Sequence, residues 1–219
     1  ASPTTLPLNL LSPTRNTMDF LEFPKMARWS RDIIVTEKID GTNAAVVIAD
    51  GLEGVLAPGA IAKVRNLDLY AQSRTKFITP ADDNHGFARW VVEHAEELAD
   101  RERGLGEGRH FGEWWGAGIQ RKYNMTRKHF SLFNVSRWTL DNRPPCCDVV
   151  PTLYSGPMAP DVLESCVAAL AVSGSIASPG FMDPEGCVLF HTAGNVGFKK
   201  TIKRDEIPKA LQGAAPVAT

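Results

Sequence analysis

The sequence has almost no net charge, no C-x-x-C pair and no long apolar run, and each absence removes a class of function. Lys plus Arg number 24 against 25 Asp plus Glu in 219 residues, a formal charge of −1. The molecule as a whole is therefore not a basic coat for nucleic acid, and any polyanion site must be a local cluster of cations. The four cysteines, Cys146, Cys147, Cys166 and Cys187, have neither zinc-knuckle nor disulfide-framework spacing, and read as reduced thiols. No apolar stretch is long enough to cross a bilayer. The polar, Pro-rich start lacks the basic-then-apolar pattern of a secretion signal. The expectation is a cytoplasmic protein without membrane contact. Gly104-Leu105-Gly106-Glu107-Gly108 lacks dinucleotide-fingerprint spacing, and no Walker-type phosphate loop occurs.

What is present is an ordinary globular composition, 43% hydrophobic and 22% charged, enough for a sizeable core. Three stretches follow: a loose arm at 1–17, a domain at 18–209 and a flexible tail at 210–219. Phe20, Leu21 and Phe23 read as a short apolar anchor. Ile33-Ile34-Val35 reads as a buried strand running into Thr36-Glu37-Lys38, and Ala44 to Ile48 as a second. The two are expected to pair like a hairpin with Lys38 to Asn43 at the bend. Phe87, Val91, His94 or Ala95, and Leu98 recur at helical spacing after Asp82-Asp83-Asn84. His110 to Trp115 and Phe130 to Val135 read as strands. A helix fits Pro160 to Val172, closed by Gly174. Strands at Cys187 to His191 and Asn195 to Lys203 flank Thr192-Ala193-Gly194. Strands with few interposed helices indicate a mostly antiparallel α+β domain.

The chemical signal is Lys38-Ile39-Asp40-Gly41-Thr42-Asn43. Alone, such a tetrad also describes a surface lysine beside a turn. Its companions are Ser73-Arg74, Phe111-Gly112-Glu113-Trp114-Trp115-Gly116, Phe130-Ser131-Leu132-Phe133-Asn134, Glu185-Gly186-Cys187-Val188 and Phe198-Lys199-Lys200. In that order and spacing the set resembles the collinear motifs of the covalent lysyl-nucleotidyltransferases, from Ile33 to Lys209. It is most similar to the ATP-dependent RNA ligase family that includes the nick-sealing phage ligases and the kinetoplastid editing ligases. Asn43, and the run Gly112 to Gln120, match the RNA ligase versions of their motifs. Arg is more usual at the Asn43 position in capping enzymes.

The resemblance implies a nucleotidyltransferase (adenylation) domain of antiparallel sheets with flanking helices, in which Lys38 takes AMP from ATP. A lysine amine attacks phosphorus only when neutral, and at pH 7 a free lysine is almost wholly protonated. Neighbouring cations and a bound metal shift that balance. Arg74 and Lys199 are the candidate cations, and they would also hold the ATP phosphates. Asp40 shapes the Lys38 loop. Glu113 is assigned to the ribose hydroxyls and Glu185 to a divalent cation, Mg²⁺ or Mn²⁺, with Glu113 a second candidate ligand. Glu37 matches the adenine-reading position, and Asn43 belongs to the same nucleotide-binding set. Phe133 is the candidate stacking partner for adenine, with Phe130 competing. The family's last motif is Lys-x-Lys, whereas Thr201 stands two residues after Lys199. Its second lysine stays open between Lys200 and Lys203.

Arg121, Lys122, Arg127 and Lys128, interleaved with Tyr123 and His129 and free of acids, suit a nucleic-acid surface. His85, His110 and His191 read as structural. The expected activity is the joining of 5′-phosphate and 3′-hydroxyl RNA ends through lysyl-AMP and adenylylated-end intermediates. The alternatives are a DNA nick-sealing ligase, a capping enzyme, and a silent nucleotide- or nucleic-acid-binding relative. Related ligases add a C-terminal domain. After Lys209 only Leu211 and an Ala/Pro tail remain, so no separate C-terminal domain is expected, and the chain's own surface or a partner protein would serve instead.

Overall fold

The computed structural model describes Phe20, residues 22–203 and Asp205. The arm at 1–17, the tail at 210–219 and Leu21 lie outside the described residues. In chain order the elements are β1 (Asp32–Lys38), β2 (Thr42–Asp50), β3 (Ala62–Val64), β4 (Leu67–Ser73), β5 (Phe77–Ile78), α1 (Phe87–Glu93), α2 (Ala95–Leu98), β6 (Gly108–Gly116), β7 (Lys128–Leu132), β8 (Asp148–Val149), β9 (Thr152–Pro157), α3 (Val162–Ser173), β10 (Gly186–His191) and β11 (Val196–Thr201). The result is a sheet-dominated α+β fold with few helices. Its described strand pairs are antiparallel except β7 with β8.

Two sheets divide these strands. One has the order β11-β10-β1-β9. The other has the order β3-β4-β2-β6-β7-β8, with β5 beside β4. The expected hairpin of β1 with β2 does not form. β1 pairs with β9 and β10, and β2 with β4 and β6. The chain leaves one sheet after Lys38 and enters the other at Thr42. Gly41 permits the crossing by close approach: a Cβ there would lie 2.5 Å from Trp114 O and 2.7 Å from Trp115 Cβ.

Alternation decides which side chains face which layer. On β1, Ile33 and Val35 are buried with Cys187, Leu189, Val167 and Leu170, so α3 covers that face. Ile34, Thr36 and Lys38 point the other way, toward the second sheet. On the second sheet, Ala44, Val46 and Ile48 join Leu69, Ala71, Phe87, Val91, Leu98, Trp114 and Phe130 in the larger core. Phe130 sits 5.0 Å from the Phe87 ring and 5.5 Å from that of Trp90.

Several boundaries differ from the sequence reading. The helix after Asp82 breaks at His94 into α1 and α2. The strand at Phe130 ends at Leu132, so Phe133 to Val135 lie in a turn. The last strand stops at Thr201. Phe20 and Phe23 are 91% and 78% exposed, so they do not act as a packed anchor. The four cysteines are free thiols, as expected.

The acids before α1 do act as a start signal, through one residue. Asp83 accepts from the backbone N–H of Asn84 (2.7 Å), Ala88 (2.8 Å) and Arg89 (3.2 Å). These satisfy donors that a helix start otherwise leaves unpaired. Asp83→Ala is expected to cost about 1 kcal/mol, seen as a fall of roughly 2–4 °C in Tm by calorimetry.

Candidate active site

The faces turned away from α3 and from the larger core enclose a cleft of about 1150 Å³ between the two sheets. Its floor is the crossing segment Lys38 to Asn43. One wall carries Ile34, Thr36, Val188, Phe190 and Lys199, and the other Gln72, Arg74, Arg109, Phe111 and Glu113. The cleft's carboxylates, Asp40, Glu113 and Glu185, lie at or beside the floor. Its cations other than Lys38, namely Arg74, Arg109, Arg137 and Lys199, line the rest.

Lys38 ends β1, directly opposite Gly186 of β10. That register brings Glu185 to it, and Nζ lies 2.5 Å from Glu185 Oε2 with the pair largely shielded from water. The nearest partner of this amine is thus a carboxylate rather than either expected cation. Arg74 and Lys199 line the same cleft, both exposed.

Glu113, from β6 in the other sheet, holds the crossing itself. Its Oε1 accepts from Gly41 N (2.9 Å) and its Oε2 from Asn43 Nδ2 (3.2 Å). Burial pushes its carboxyl up to about 7, against the opposing pull of Lys38 and the Gly41 hydrogen bond. Asp40 is fixed twice over: its N–H donates to the Tyr123 hydroxyl (2.9 Å), and its Oδ2 accepts from Arg121 Nε (3.0 Å). Arg121 also reaches Asp183, 2.8 Å to Oδ2, and so joins the Lys38 loop to the approach to Glu185. The segment carrying it is strained. Gln120, Lys122, Tyr123 and Asn124 all have positive φ, from 43° to 59°. Such residues persist where packing over-determines them, and Tyr123 is fully buried against Trp115 and Phe181.

The other candidates divide by face. Phe133 lines the cleft, while Phe130 is core. Glu37 alternates with Thr36 and Lys38, so its carboxylate points away from the cleft. It accepts from Ser175 Oγ (2.6 Å) and from the N–H groups of Ile176 and Ala177 (both 2.9 Å). What Glu37 presents to the cleft is backbone. Lys200 lies on the opposite face of β11 from Lys199, with Nζ 2.7 Å from Glu164 of α3. Lys203 pairs with Asp183 (2.6 Å). In the basic loop, Arg121 turns inward, Lys128 donates to the His85 carbonyl (2.6 Å), and Lys122 and Arg127 are exposed. His110 and His191 bond backbone carbonyls of Gly106 and Trp29 (2.9 and 3.0 Å).

Tyr123, the Ser175 loop and Asp183 were missed by sequence reasoning. Only Tyr123 had a local signal, as an aromatic amid cations. The Glu37–Ser175 contact spans 138 residues and has none.

Among the described residues, no group of three or more His, Cys, Asp or Glu is placed to hold a metal unaided. Mg²⁺-type sites need only one or two carboxylates, completed by phosphate oxygens and water. Glu185 beside Lys38 meets that requirement. No described helix is long and apolar enough to cross a membrane.

A family model for RNA ligases matches residues 31–204. The chain belongs to the RNA ligase family. No curated protein sequence matches it. Among solved structures, a variant of Naegleria gruberi RNA ligase with ATP and Mn superposes at a TM-score of 0.53 and 18% identity, covering 80% of this chain and 51% of that one. A second variant, with AMP and Mn, gives 0.51 and 18%, covering 78% and 49%. The Naegleria enzyme with PPi gives 0.50 and 19%, covering 78% and 50%. At this identity the likeness is one of fold. The chain spans about half the length of these structures.

Two outcomes follow from the geometry. Because Glu113 binds its proton more tightly folded than unfolded, it stabilises the fold below pH 4.5, and this is lost as pH rises through about 7. The swing is on the order of 3 kcal/mol. Subtracting the Glu113→Gln stability–pH profile from the wild type should show a fall across that window, read by thermal unfolding. Gly41→Ala must displace Trp114 or the crossing, so it is expected to cost about 1–3 kcal/mol, read as a fall in Tm by calorimetry.

Proposed function

We propose that this domain is an ATP-dependent nucleotidyltransferase that activates and joins RNA ends. The observation that carries the reading is Lys38 at the floor of a cleft, between Glu185 of its own sheet and Glu113 of the other. That ligases of this fold have been solved with ATP, AMP and Mn supports the same ligands here.

In the first step Nζ of Lys38 bonds to the α-phosphorus of ATP and the bond to the β-phosphate oxygen breaks, releasing pyrophosphate. Before attack, the amine must part from Glu185 and give up a proton. Glu185 would hold a divalent cation, which would draw that carboxylate from the amine and shield phosphate charge. Arg74 and Lys199 approach the triphosphate from opposite walls, fixed donors for charge that develops in transfer. Phe133 offers a face for the adenine. Glu113, already committed to Gly41 N and Asn43, keeps the floor rigid while one carboxylate edge meets the ribose. Asp40, pinned by Tyr123 and Arg121, sets the direction in which Lys38 leaves its strand. AMP then passes from Lys38 to an RNA 5′-phosphate, and a 3′-hydroxyl displaces it. Arg121 acts here as a positioning residue, while Lys122 and Arg127 remain available to a polyanion.

The reading is tested with α-labelled ATP and Mg²⁺. The wild type should acquire a covalent, acid-labile label on Lys38. Lys38→Ala should abolish it, and Glu185→Ala should cut its rate by about 10² or more. A wild type that takes no label defeats the proposal.

A further inference from the structure

Beyond its floor, the cleft opens onto a bare face of the larger sheet. Side chains there fall into two cross-strand rows. One runs Phe77, Gln72, Ala45, Phe111 over β5, β4, β2 and β6. The next runs Tyr70, Val47, Arg109 over β4, β2 and β6. Phe77 and Phe111 are 51% and 52% exposed, whereas Trp114 and Phe130, on the opposite face of the same sheet, are 2% and 0%. The Arg109 guanidinium lies 5.9 Å from the centre of the Phe77 ring, and the Tyr70 and Phe77 rings are 5.7 Å apart. Neither row contains an acid.

This face continues the cleft. Arg109, Phe111 and Glu113 alternate along β6 on one side, about 7 Å from each to the next. The step from Glu113 to Phe111 is thus a step outward from the floor by about the reach of one nucleotide. Across the sheet Ala45 is covered, 1% exposed. Arg109 reaches over to Phe77, so the cation shares one surface with two exposed rings whose strands lie roughly 14 Å apart at three strand spacings. Exposed aromatic faces beside a cation and without acids suit one chemistry: unpaired bases for the rings and phosphates for the guanidinium.

We propose that this face is a platform for a single-stranded stretch of the RNA substrate, with bases stacked on Phe111 and Phe77 and the backbone paired with Arg109. The proposal rests on the ligase reading above and adds where the strand lies. It differs from the basic loop at Arg121 to Lys128, two of whose four cations are committed to intramolecular bonds.

Two measurements on the full chain separate this proposal from that reading: lysyl-AMP labelling without RNA, and fluorescence anisotropy with a 5′-phosphorylated single-stranded RNA. Phe111→Ala and Arg109→Ala should each weaken RNA binding at least about 5-fold. Both should melt within a few °C of the wild type, which shows that they fold, and Phe77→Ala, outside the cleft lining, should weaken RNA binding while keeping wild-type labelling. Phe111→Tyr should restore binding. Arg109→Ala should reduce the slope of log affinity against log salt by about 1. RNA affinity unchanged in both alanine variants overturns the platform. So does a result in which they dissolve a dimer in sedimentation while RNA binding persists. Absence of label in the wild type strikes the ligase reading alone, because the binding arm still judges the platform.

Discussion

The site depends on one buried carboxylate holding one stretch of backbone. The main chain must pass from the smaller sheet to the larger within the few residues after Lys38, and Glu113 accepts from Gly41 N at the middle of that passage. A carboxylate in so dry a place is costly unless hydrogen bonded, and its upward-shifted titration records the cost. In return the floor of the cleft is fixed from the opposite sheet. Gly41 allows this because any larger residue would collide with Trp114. Asp40 is held by Tyr123 and Arg121 on the other side. Lys38 therefore emerges from a segment with little freedom, which suits the in-line attack on phosphorus proposed for it.

The same economy governs the strand faces. Period-two alternation along β1 sends Val35 and Glu37 inward and Thr36 and Lys38 into the cleft. Glu37 accordingly serves the Ser175 loop with its carboxylate, leaving backbone to border the cleft. Along β11 the rule separates Lys199, in the cleft, from Lys200, against Glu164. Along β6 it places Arg109 and Phe111 on the side of Glu113. One periodicity thus sorts cleft-facing groups from packing groups on three strands.

Much of this was legible beforehand. The Lys38 tetrad, the downstream acids and the sheet-dominated class stood out because each has a local signature, and α3 because its apolar stripe has the helical period. The alternation of β1 was equally visible, but the Ser175 loop that receives the Glu37 carboxylate lies 138 residues away and had no local signal. The hairpin expectation failed for another reason. Two strands joined by three residues usually pair, and only distant partners, β10 for one and β6 for the other, reveal that these do not. Phe133 could not be separated from Phe130 until the end of β7 was known. Arg121 looked like a surface cation because its partners, Asp40 and Asp183, are remote in sequence.

The division of the site between sheets has a mechanical consequence. Lys38 ends β1 and Glu185 immediately precedes β10 in one hydrogen-bonded layer, while Glu113 and Phe111 lie on β6 and Arg74 immediately follows β4 in the other. Breathing of the layers against each other would widen the gap from nucleophile to the far wall yet leave the amine and its carboxylate neighbour in step. The cleft can therefore widen and narrow without separating Lys38 from Glu185.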